Sequence, residues 1–359
     1  MRRVKKIKTD LFYKKHKPTI GLDIGATSIK VVQLKKVGEN AKLLGYSKIG
    51  LPGGCISEGI IYDPETVAKY IGQLIKEPKY GRIRAERVNA AISESFIFTR
   101  VLELPEMNRD ELEQAITWDA EQYIPISLTD LYIDYQVLGP TLSGKEGVND
   151  VVLVAVPRMI VDSFIKTIEI LGLEVGVLET NLSSIARAVI PKKDQSEIIA
   201  LVDVGGEKTN IAIFDKAIRI TGSIPKGGVD FTRSISEKLK LNILEAEELK
   251  NHEGLPGKNN KVKDAMEPAM LEIIAEIKKA INYYFEKTNA NKKAQISKVL
   301  VCGGNASVPG FVEFLGERTG VKTLMGNPWA NISVYPLKPV PKLEAPMYTT
   351  AIGLAMKGN

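Results

Sequence analysis

The stretch GLDIGATSIK (residues 21–30) decides the fold of this chain. Apolar residues alternate up to Ile24 and resume at Ile29, so the pattern predicts two strands joined by a Gly-Ala-Thr-Ser turn. Glycine lets the backbone approach a phosphate closely, and successive N–H groups of such a turn can bind an anion. Asp23 suits the outer coordination sphere of Mg²⁺, and Lys30 supplies a point charge for phosphate. Alone, the motif is equally typical of an ordinary tight turn.

The same plan recurs half a chain later in ALVDVGGEKTN (residues 200–210), which again leads into an alternating strand. A third apolar strand runs into a Gly-Gly pair in VLVCGGNASVPG (residues 299–310). Two phosphate-type hairpins can hold a triphosphate from both sides, and a Gly-Gly pair at a strand end leaves room for a base and sugar. Each motif is weak alone. Their ordered combination predicts ATP and Mg²⁺ held between two related α/β domains.

Length and composition set the protein class. A chain of 359 residues favours two domains, and its apolar runs, such as residues 151–156, are too short to cross a bilayer. The N-terminus lacks the apolar stretch of a secretory signal. Cys55 and Cys302 cannot form a disulfide framework and indicate a reducing compartment. His16 and His252 fall in a tail and a loop, which argues against metal or base roles. We therefore expect a cytoplasmic protein.

The net charge of +6 does not indicate nucleic-acid binding. Residues 1–18 carry a net charge of +7, so the rest of the chain carries −1 and no general basic footprint is expected. The basic tail (residues 1–18) is interpreted as a disordered extension. With apolar residues interleaved, a helix on an anionic membrane surface is the alternative.

The domain organisation is expected to follow the repeat. Domain I spans residues 19–196 and domain II residues 197–359, with a small α+β unit inserted at about residues 85–150. Strands at residues 88–92 and 97–104 are assigned to the insertion, and the apolar strand at residues 151–156 to the main α/β core. A helix is predicted from Asn108, where Glu111 completes a capping box.

The ordered motifs resemble those of the actin, heat-shock chaperone and sugar kinase superfamily. Within it, the chain is similar to the PilM family of cytoplasmic actin-like proteins of type IV pilus assembly, which are relatives of FtsA. The resemblance covers nearly the whole chain after the tail and rests on residues 21–34, 118–125, 134–139, 302–311 and 327–329. Residues 121–125 and 134–139 are the most specific, because chaperones and sugar kinases lack them. It implies an actin-like (ribonuclease H-like) two-domain α/β fold with an inserted α+β subdomain.

The resemblance also implies roles by position. The first phosphate motif corresponds to Asp23, Gly25, Ala26, Thr27, Ser28 and Lys30. The second phosphate motif corresponds to Asp203, Gly205, Gly206 and Thr209. The adenosine motif corresponds to Gly303, Gly304 and Asn305. Asp23 and Asp203 are the candidate metal residues. Residues 177–188 resemble the first connecting helix, where Glu179 is the candidate catalytic base. Its alternative reading is a solvent-facing residue near a helix N-terminus. Ala351 and Gly353 resemble the second connecting helix.

Glu207 and Lys208 depart from the small residues common in the second phosphate loop. An anion at Glu207 would repel a γ-phosphate unless it points away or Lys208 offsets it. We therefore expect the chain to bind nucleotide but not to hydrolyse it rapidly. If it is an enzyme, it is expected to be a slow ATPase.

Three functions are compared. A PilM-type assembly protein would hold the cytoplasmic N-terminal segment of a PilN-like bitopic inner-membrane protein beside the insertion, within residues 119–136. It would lie at the inner face of the membrane with mainly indirect membrane contact, and self-association is compatible with it. A small-molecule kinase needs a catalytic Asp and a substrate pocket that no motif identifies. An FtsA-like membrane-tethered filament protein is expected to carry a C-terminal amphipathic membrane helix, whereas this chain stops at Asn359, although its basic tail could substitute for that helix. The first reading alone explains the insertion.

Overall fold

The strands of the described residues form three sheets and a short hairpin. The computed structural model describes residues 17–37, 40–256, 260–288, 295–330, 332–333 and 344–357. The basic tail, apart from Lys17 and Pro18, lies outside the described residues. The strands are β1 (Thr19–Ile24), β2 (Ser28–Val37), β3 (Asn40–Gly50), β4 (Ile56–Ser57), β5 (Ile60–Ile61), β6 (Tyr80–Gly81), β7 (Arg87–Ile92), β8 (Phe98–Pro105), β9 (Leu131–Pro140), β10 (Val148–Pro157), β11 (Glu174–Thr180), β12 (Ile198–Val204), β13 (Thr209–Asp215), β14 (Ala217–Ile224), β15 (Lys298–Cys302), β16 (Thr323–Met325) and β17 (Ile332–Ser333).

Helices pack on both faces of the two large sheets, and α2 packs on the small sheet. They are α1 (Pro64–Lys76), α2 (Arg109–Tyr123), α3 (Arg158–Ile170), α4 (Asn181–Val189), α5 (Gly228–Leu239), α6 (Ile243–His252), α7 (Lys261–Thr288), α8 (Phe311–Thr319) and α9 (Thr349–Lys357). Among the described residues, no helix combines the length and the apolar character needed to cross a membrane. The predicted capping box of Asn108 and Glu111 is confirmed. At α1, Asp63 accepts from the Thr66 N–H at 3.0 Å, with Pro64 as the first helical residue.

The two large sheets share one plan. The first has the order β11-β7-β1-β2-β3-β17, with β6 beside β3, and the second the order β14-β13-β12-β15-β16. In each, a strand ending near an aspartate (β1 or β12) pairs antiparallel with the next strand and parallel with a later one (β7 or β15). The repeat inferred from the two Asp-X-Gly segments is therefore a repeat of topology.

The insertion is a three-stranded sheet, β8-β10-β9, covered on one face by α2. Strand pairing corrects two assignments made from the sequence. The strand at residues 88–92 is β7, inside the first large sheet, and the strand at residues 151–156 belongs to β10, the middle of the small sheet. Hydrophobicity shows that both strands are buried, but it does not show which sheet buries them.

Helices α4 and α9 cross between the two large sheets. Their side chains share one core with residues of both sheets, including Val32 of β2 and Leu201 of β12. The crossing is close: a Cβ on Gly353 would lie 1.9 Å from the carbonyl oxygen of Ser184, and one on Gly21 would lie 2.0 Å from that of Ala351. The two segments that resemble connecting helices therefore lie in helices that pack closely against each other.

Candidate functional site

The two predicted hairpin turns face each other across a cleft. Each is closed by the same backbone hydrogen bond, from the Gly25 N–H to the Ser28 carbonyl at 3.0 Å and from the Gly205 N–H to the Lys208 carbonyl at 2.9 Å. A Cβ on Gly206 would lie 3.7 Å from Thr27 Oγ1. The turns therefore approach within side-chain contact distance, as a two-sided clamp requires.

Charged residues of three adjacent strands line up on the first-sheet wall of the cleft. Asp23 lies opposite Lys30, and Lys30 lies opposite Lys48 of β3. Lys30 Nζ is 3.0 Å from Asp23 Oδ2, and both side chains are mostly buried. Burial and the charge of Lys30 lower the pKa of Lys48. Sequence reasoning missed Lys48, although its alternating position in β3 places it on the same face as Lys30.

Asp203 is the most perturbed acid of the cleft. Burial raises its pKa to about 6, and the charge of Asp23 adds to the effect. Two amides offset part of this: Asn181 Nδ2 donates to Asp203 Oδ2 at 3.1 Å and Asn210 Nδ2 at 3.4 Å. Both amides are buried, and neither was singled out from the sequence. Because the two carboxylates repel each other when both are ionised, their shared cleft disfavours the doubly charged state. A bound divalent cation would compensate for this repulsion.

The residues present fit a hydrated magnesium ion. Asn210 Oδ1 is buried without a hydrogen-bond partner, on the same side chain that donates to Asp203. Among the described residues, no three His, Cys, Asp or Glu side chains group tightly enough to cage a metal. Magnesium does not need such a cage, because it binds through one or two carboxylates together with water and phosphate oxygens.

The Gly303-Gly304 loop braces the second hairpin. Gly303 has φ +86°, and a Cβ there would lie 2.4 Å from the Val204 carbonyl oxygen. The Asn305 side chain is turned inward, with Nδ2 donating to the Gly205 carbonyl at 2.8 Å. By contrast, a Cβ on Gly304 would meet no atom within 4 Å. Gly304 thus borders open space, while Asn305 holds the turn.

A polar cluster on α5 and α6 supports the same loop. A Cβ on Gly228 would collide with Asn305 Oδ1 at 2.2 Å, so the α5 N-terminus sits directly on the Asn305 amide. The buried Lys250 donates to the Gly228 carbonyl, to Thr232 Oγ1 and, at 2.7 Å, to Glu247 Oε2. Burial acts to raise the pKa of Glu247, but Lys250 and Thr232 hold it below its usual range. Sequence reasoning missed this cluster, whose only signal was a Gly-Gly pair at a helix start.

Glu179 lies in strand β11, not on a helix as the sequence reading placed it. Arg187 donates to both of its oxygens, at 2.6 and 2.8 Å, and Lys357 donates at 2.7 Å. Burial acts to raise its pKa, but these two cations hold the pKa below its usual range. The catalytic role of Glu179 stays a prediction. The geometry favours an ion pair that ties β11 to α4 and α9, because its acceptors are taken.

Glu207 and Lys208, the two unusual residues of the second turn, partly offset each other's charge. Glu207 is exposed, and the Lys208 ammonium lies 3.9 Å from the centre of the Phe96 ring. Burial lowers the pKa of Lys208, while Glu207 and Glu58 act to raise it. The Lys208 charge therefore stays beside the turn, where it offsets Glu207.

A groove of about 1120 Å³ opens where the three sheets meet. Strands β9, β11 and β14, each the terminal strand of its sheet in the orders given above, all contribute to its lining. Nearly half of the lining residues are aliphatic, including Val152 and Val154 of β10, whereas α2 packs on the opposite face of that sheet, against Val151 and Leu153. The region predicted to bind the peptide, residues 119–136, therefore lies on both faces of the small sheet. Residues 132–136 line the groove and residues 119–123 lie on the far side.

Comparison with known proteins defines the family. The sequence pattern of the family described as "Type IV pilus assembly protein PilM" matches residues 21–359. The chain belongs to this family. Its fold is the actin-like α/β fold.

Solved structures and curated relatives agree with this assignment. The chain superposes on a chain of the "PilM-PilN type IV pilus biogenesis complex" with a TM-score of 0.82 and 24% identity, covering 96% of this chain and 99% of that one. MreB5 of Spiroplasma citri, solved with AMPPNP, gives a TM-score of 0.54 at 11% identity and covers 95% and 96% of the two chains. FtsA of Streptococcus pneumoniae is 24% identical over 339 residues, 84% of this chain and 74% of its own length.

Proposed function

We propose that this type IV pilus assembly protein binds Mg–ATP between its two hairpins and holds a peptide of a membrane partner in the groove. The observation that carries the proposal is the apposition of the turns at Thr27 and Gly206, with Asp23 and Asp203 in one cleft. The nucleotide in the solved MreB5 and the partner named in the PilM–PilN complex support it. The partner segment would be the cytoplasmic N-terminus of a PilN-like bitopic inner-membrane protein.

Each hairpin has a defined part in nucleotide binding. The backbone N–H groups of residues 26–28 and 206–209 would bind phosphate oxygens, and Lys30 would move from Asp23 to the phosphates. Bound Mg²⁺ supplies charge neutralisation between the phosphates. Asp23 and Asp203 would hold its water shell, and Gly304 would border the adenosine. Glu179 acts in this proposal through its ion pairs and takes no proton from water, which agrees with slow hydrolysis at most.

The groove suits an extended apolar peptide. A terminal strand offers backbone groups to an added strand, and β9, β11 and β14 all contribute to the lining. Holding a segment of a membrane protein would place this chain at the inner face of the membrane, with membrane contact made mainly through the partner.

Two titrations test the proposal. We expect saturable binding of MgATP, and saturable binding of a fluorescent peptide from the cytoplasmic N-terminus of the bitopic membrane protein encoded beside this gene, with no binding of a scrambled peptide. Val152→Arg, inside the groove, should weaken peptide binding at least about tenfold, because it introduces a charge among aliphatic side chains. Trp118→Ala is the matched control, since Trp118 is exposed on α2 at the opposite face of the small sheet.

Two results would contradict the proposal. One is equal peptide affinity of the Val152→Arg and wild-type proteins. The other is transfer of phosphate from ATP to a sugar in the absence of peptide binding, which would indicate a small-molecule kinase.

A further inference from the structure

One carboxylate of the groove lacks a full set of partners. Glu94, in the short 3₁₀ turn Glu94–Phe96, is only 4% exposed. Its Oε1 accepts from Thr99 Oγ1 at 2.7 Å, whereas its Oε2 is buried and forms no hydrogen bond, although the Thr221 hydroxyl is close by. Burial raises its pKa, and the Thr99 and Thr221 hydroxyls offset this only in part. An unpaired buried acceptor is costly to the fold unless a ligand satisfies it.

Glu94 lies where the three sheets meet in the groove. Glu94 lines the groove together with Thr99 of β8 and Thr221 of β14, so the first sheet, the insertion and the second sheet meet at its carboxylate. A donor placed there by a peptide would contact all three units at once.

We propose that Glu94 Oε2 is the recognition group of the groove and binds an uncharged N–H or O–H donor on an otherwise apolar segment. The charge of the lining selects the class of donor. Its basic residues outnumber its acidic ones (Lys36, Arg187, Lys192, Lys216 and Lys357 against Glu94, Asp134 and Glu179), which disfavours a Lys or Arg side chain. The inference rests on the proposed function, because it assumes that a partner peptide occupies the groove.

The test uses Glu94→Gln and the same fluorescent peptide. Glutamine keeps the shape and the acceptor for Thr99 but replaces the free Oε2 acceptor with a donor. Peptide affinity should fall about 10- to 100-fold. Glu121→Gln, the same substitution at an exposed residue of α2 on the far side of the small sheet, should change it less than about twofold. Because Glu94→Gln relieves the burial of a charge, it should melt no lower than wild type, which excludes misfolding as the cause.

A panel of peptides identifies the donor. Each polar side chain of the peptide is replaced in turn by an apolar one of similar size. At one uncharged peptide position, the replacement should lower the affinity for the wild-type protein but not the affinity for Glu94→Gln. Such a result in a double-mutant cycle identifies direct partners. Equal affinity of wild type and Glu94→Gln, or coupling found only at a Lys or Arg position, would overturn the inference. Failure of wild type to bind the peptide would instead remove the proposed function.

A separate observation links this site to the nucleotide cleft. The side chain of Asn181, at the start of α4, donates from Nδ2 to Asp203 and accepts at Oδ1 from the Glu94 N–H at 3.0 Å. The same turn also carries Phe96, on which Lys208 of the second hairpin lies. We infer that Asn181 couples nucleotide binding at Asp203 to peptide binding at Glu94.

Coupling is measured as the ratio of the MgATP dissociation constants without and with saturating peptide. For wild type we expect a ratio that departs from unity at least about fivefold, and the same factor when peptide is titrated with and without MgATP. Asn181→Ala should bring the ratio close to unity. Asn210→Ala is the matched control, because Asn210 also donates to Asp203 whereas the Glu94 N–H donates to Asn181.

If Asn181→Ala binds MgATP too weakly to titrate, Phe96→Leu provides the test. It removes the Lys208 contact and leaves both amides on Asp203, so the ratio should again move towards unity. A wild-type ratio of one, or a ratio unchanged in the variant titrated, would overturn the coupling while leaving the Glu94 site intact.

Discussion

Replacing Asp203 with asparagine should abolish Mg–ATP binding and, at the same time, stabilise the ligand-free protein. At neutral pH the Asp203 carboxylate is desolvated and lies near Asp23, which raises its pKa from 3.8 to about 6. Asparagine keeps an oxygen that accepts from Asn181 and Asn210 but carries no charge. We expect at least about a hundredfold loss in MgATP affinity, because a carboxylate is lost from the magnesium site.

The direction of the pH effect follows from the raised pKa. The folded state binds the Asp203 proton more tightly than the unfolded state, so this group costs stability as the pH rises from about 4 to about 6. Above that range the cost is at most about 3 kcal/mol, at 1.36 kcal/mol per pKa unit. The melting temperature of Asp203→Asn should therefore exceed that of wild type at pH 7.5, and the difference should disappear near pH 4.

Asp203→Ala separates the two effects. Alanine also removes the charge, but it leaves the buried donors of Asn181 and Asn210 without their acceptor, so it should lose MgATP binding without a comparable gain in stability. MgATP binding by Asp203→Asn with wild-type affinity would contradict the assignment of Asp203 to the metal site. A lower melting temperature at pH 7.5 would contradict the account of its pKa.

The hairpins could be predicted from the sequence because each is local. Apolar alternation and a Gly-containing turn fix both strands around Asp23 and around Asp203 within about fifteen residues, and the repeat of that pattern predicts the two related sheets. Long-range pairing was not predictable in the same way. The sequence predicted β7 and β10 as strands but placed each in the wrong sheet. The sequence of a buried strand is equally apolar in either sheet, so it does not identify the neighbouring strand.

The inner residues of the site depend on contacts that no local pattern encodes. Asn181 is the first residue of α4, directly after β11. A helix predicted to begin a few residues earlier puts Glu179 in that place instead, but the Glu179 charge is neutralised by Arg187 and Lys357. Glu94 follows β7 as an apparent loop residue. Only the packing of β8 and β14 around it makes its carboxylate a buried acceptor.

Gly353→Ala should destabilise the protein although alanine is the better helix former. A Cβ at this position would lie 1.9 Å from the Ser184 carbonyl oxygen, in backbone that cannot rotate away, so α4 and α9 must separate. Overpacking of this kind costs about 1–3 kcal/mol, and a contact this short should fall at the upper end. Denaturant unfolding measures the loss. Because Asn181 begins α4, we also expect weaker MgATP binding.

Gly72→Ala provides the control for Gly353→Ala, because it is the same substitution in a helix with space. In α1 the nearest atom to the added Cβ is Leu171 Cδ2 at 3.5 Å, an ordinary contact, so helix propensity decides and stability should rise by up to about 1 kcal/mol. Opposite signs for the two substitutions would show that the crossing of the connecting helices sets the cost at Gly353. A neutral or stabilising Gly353→Ala would mean that the helices can separate freely, and the contact between the two sheets would then not depend on their close approach.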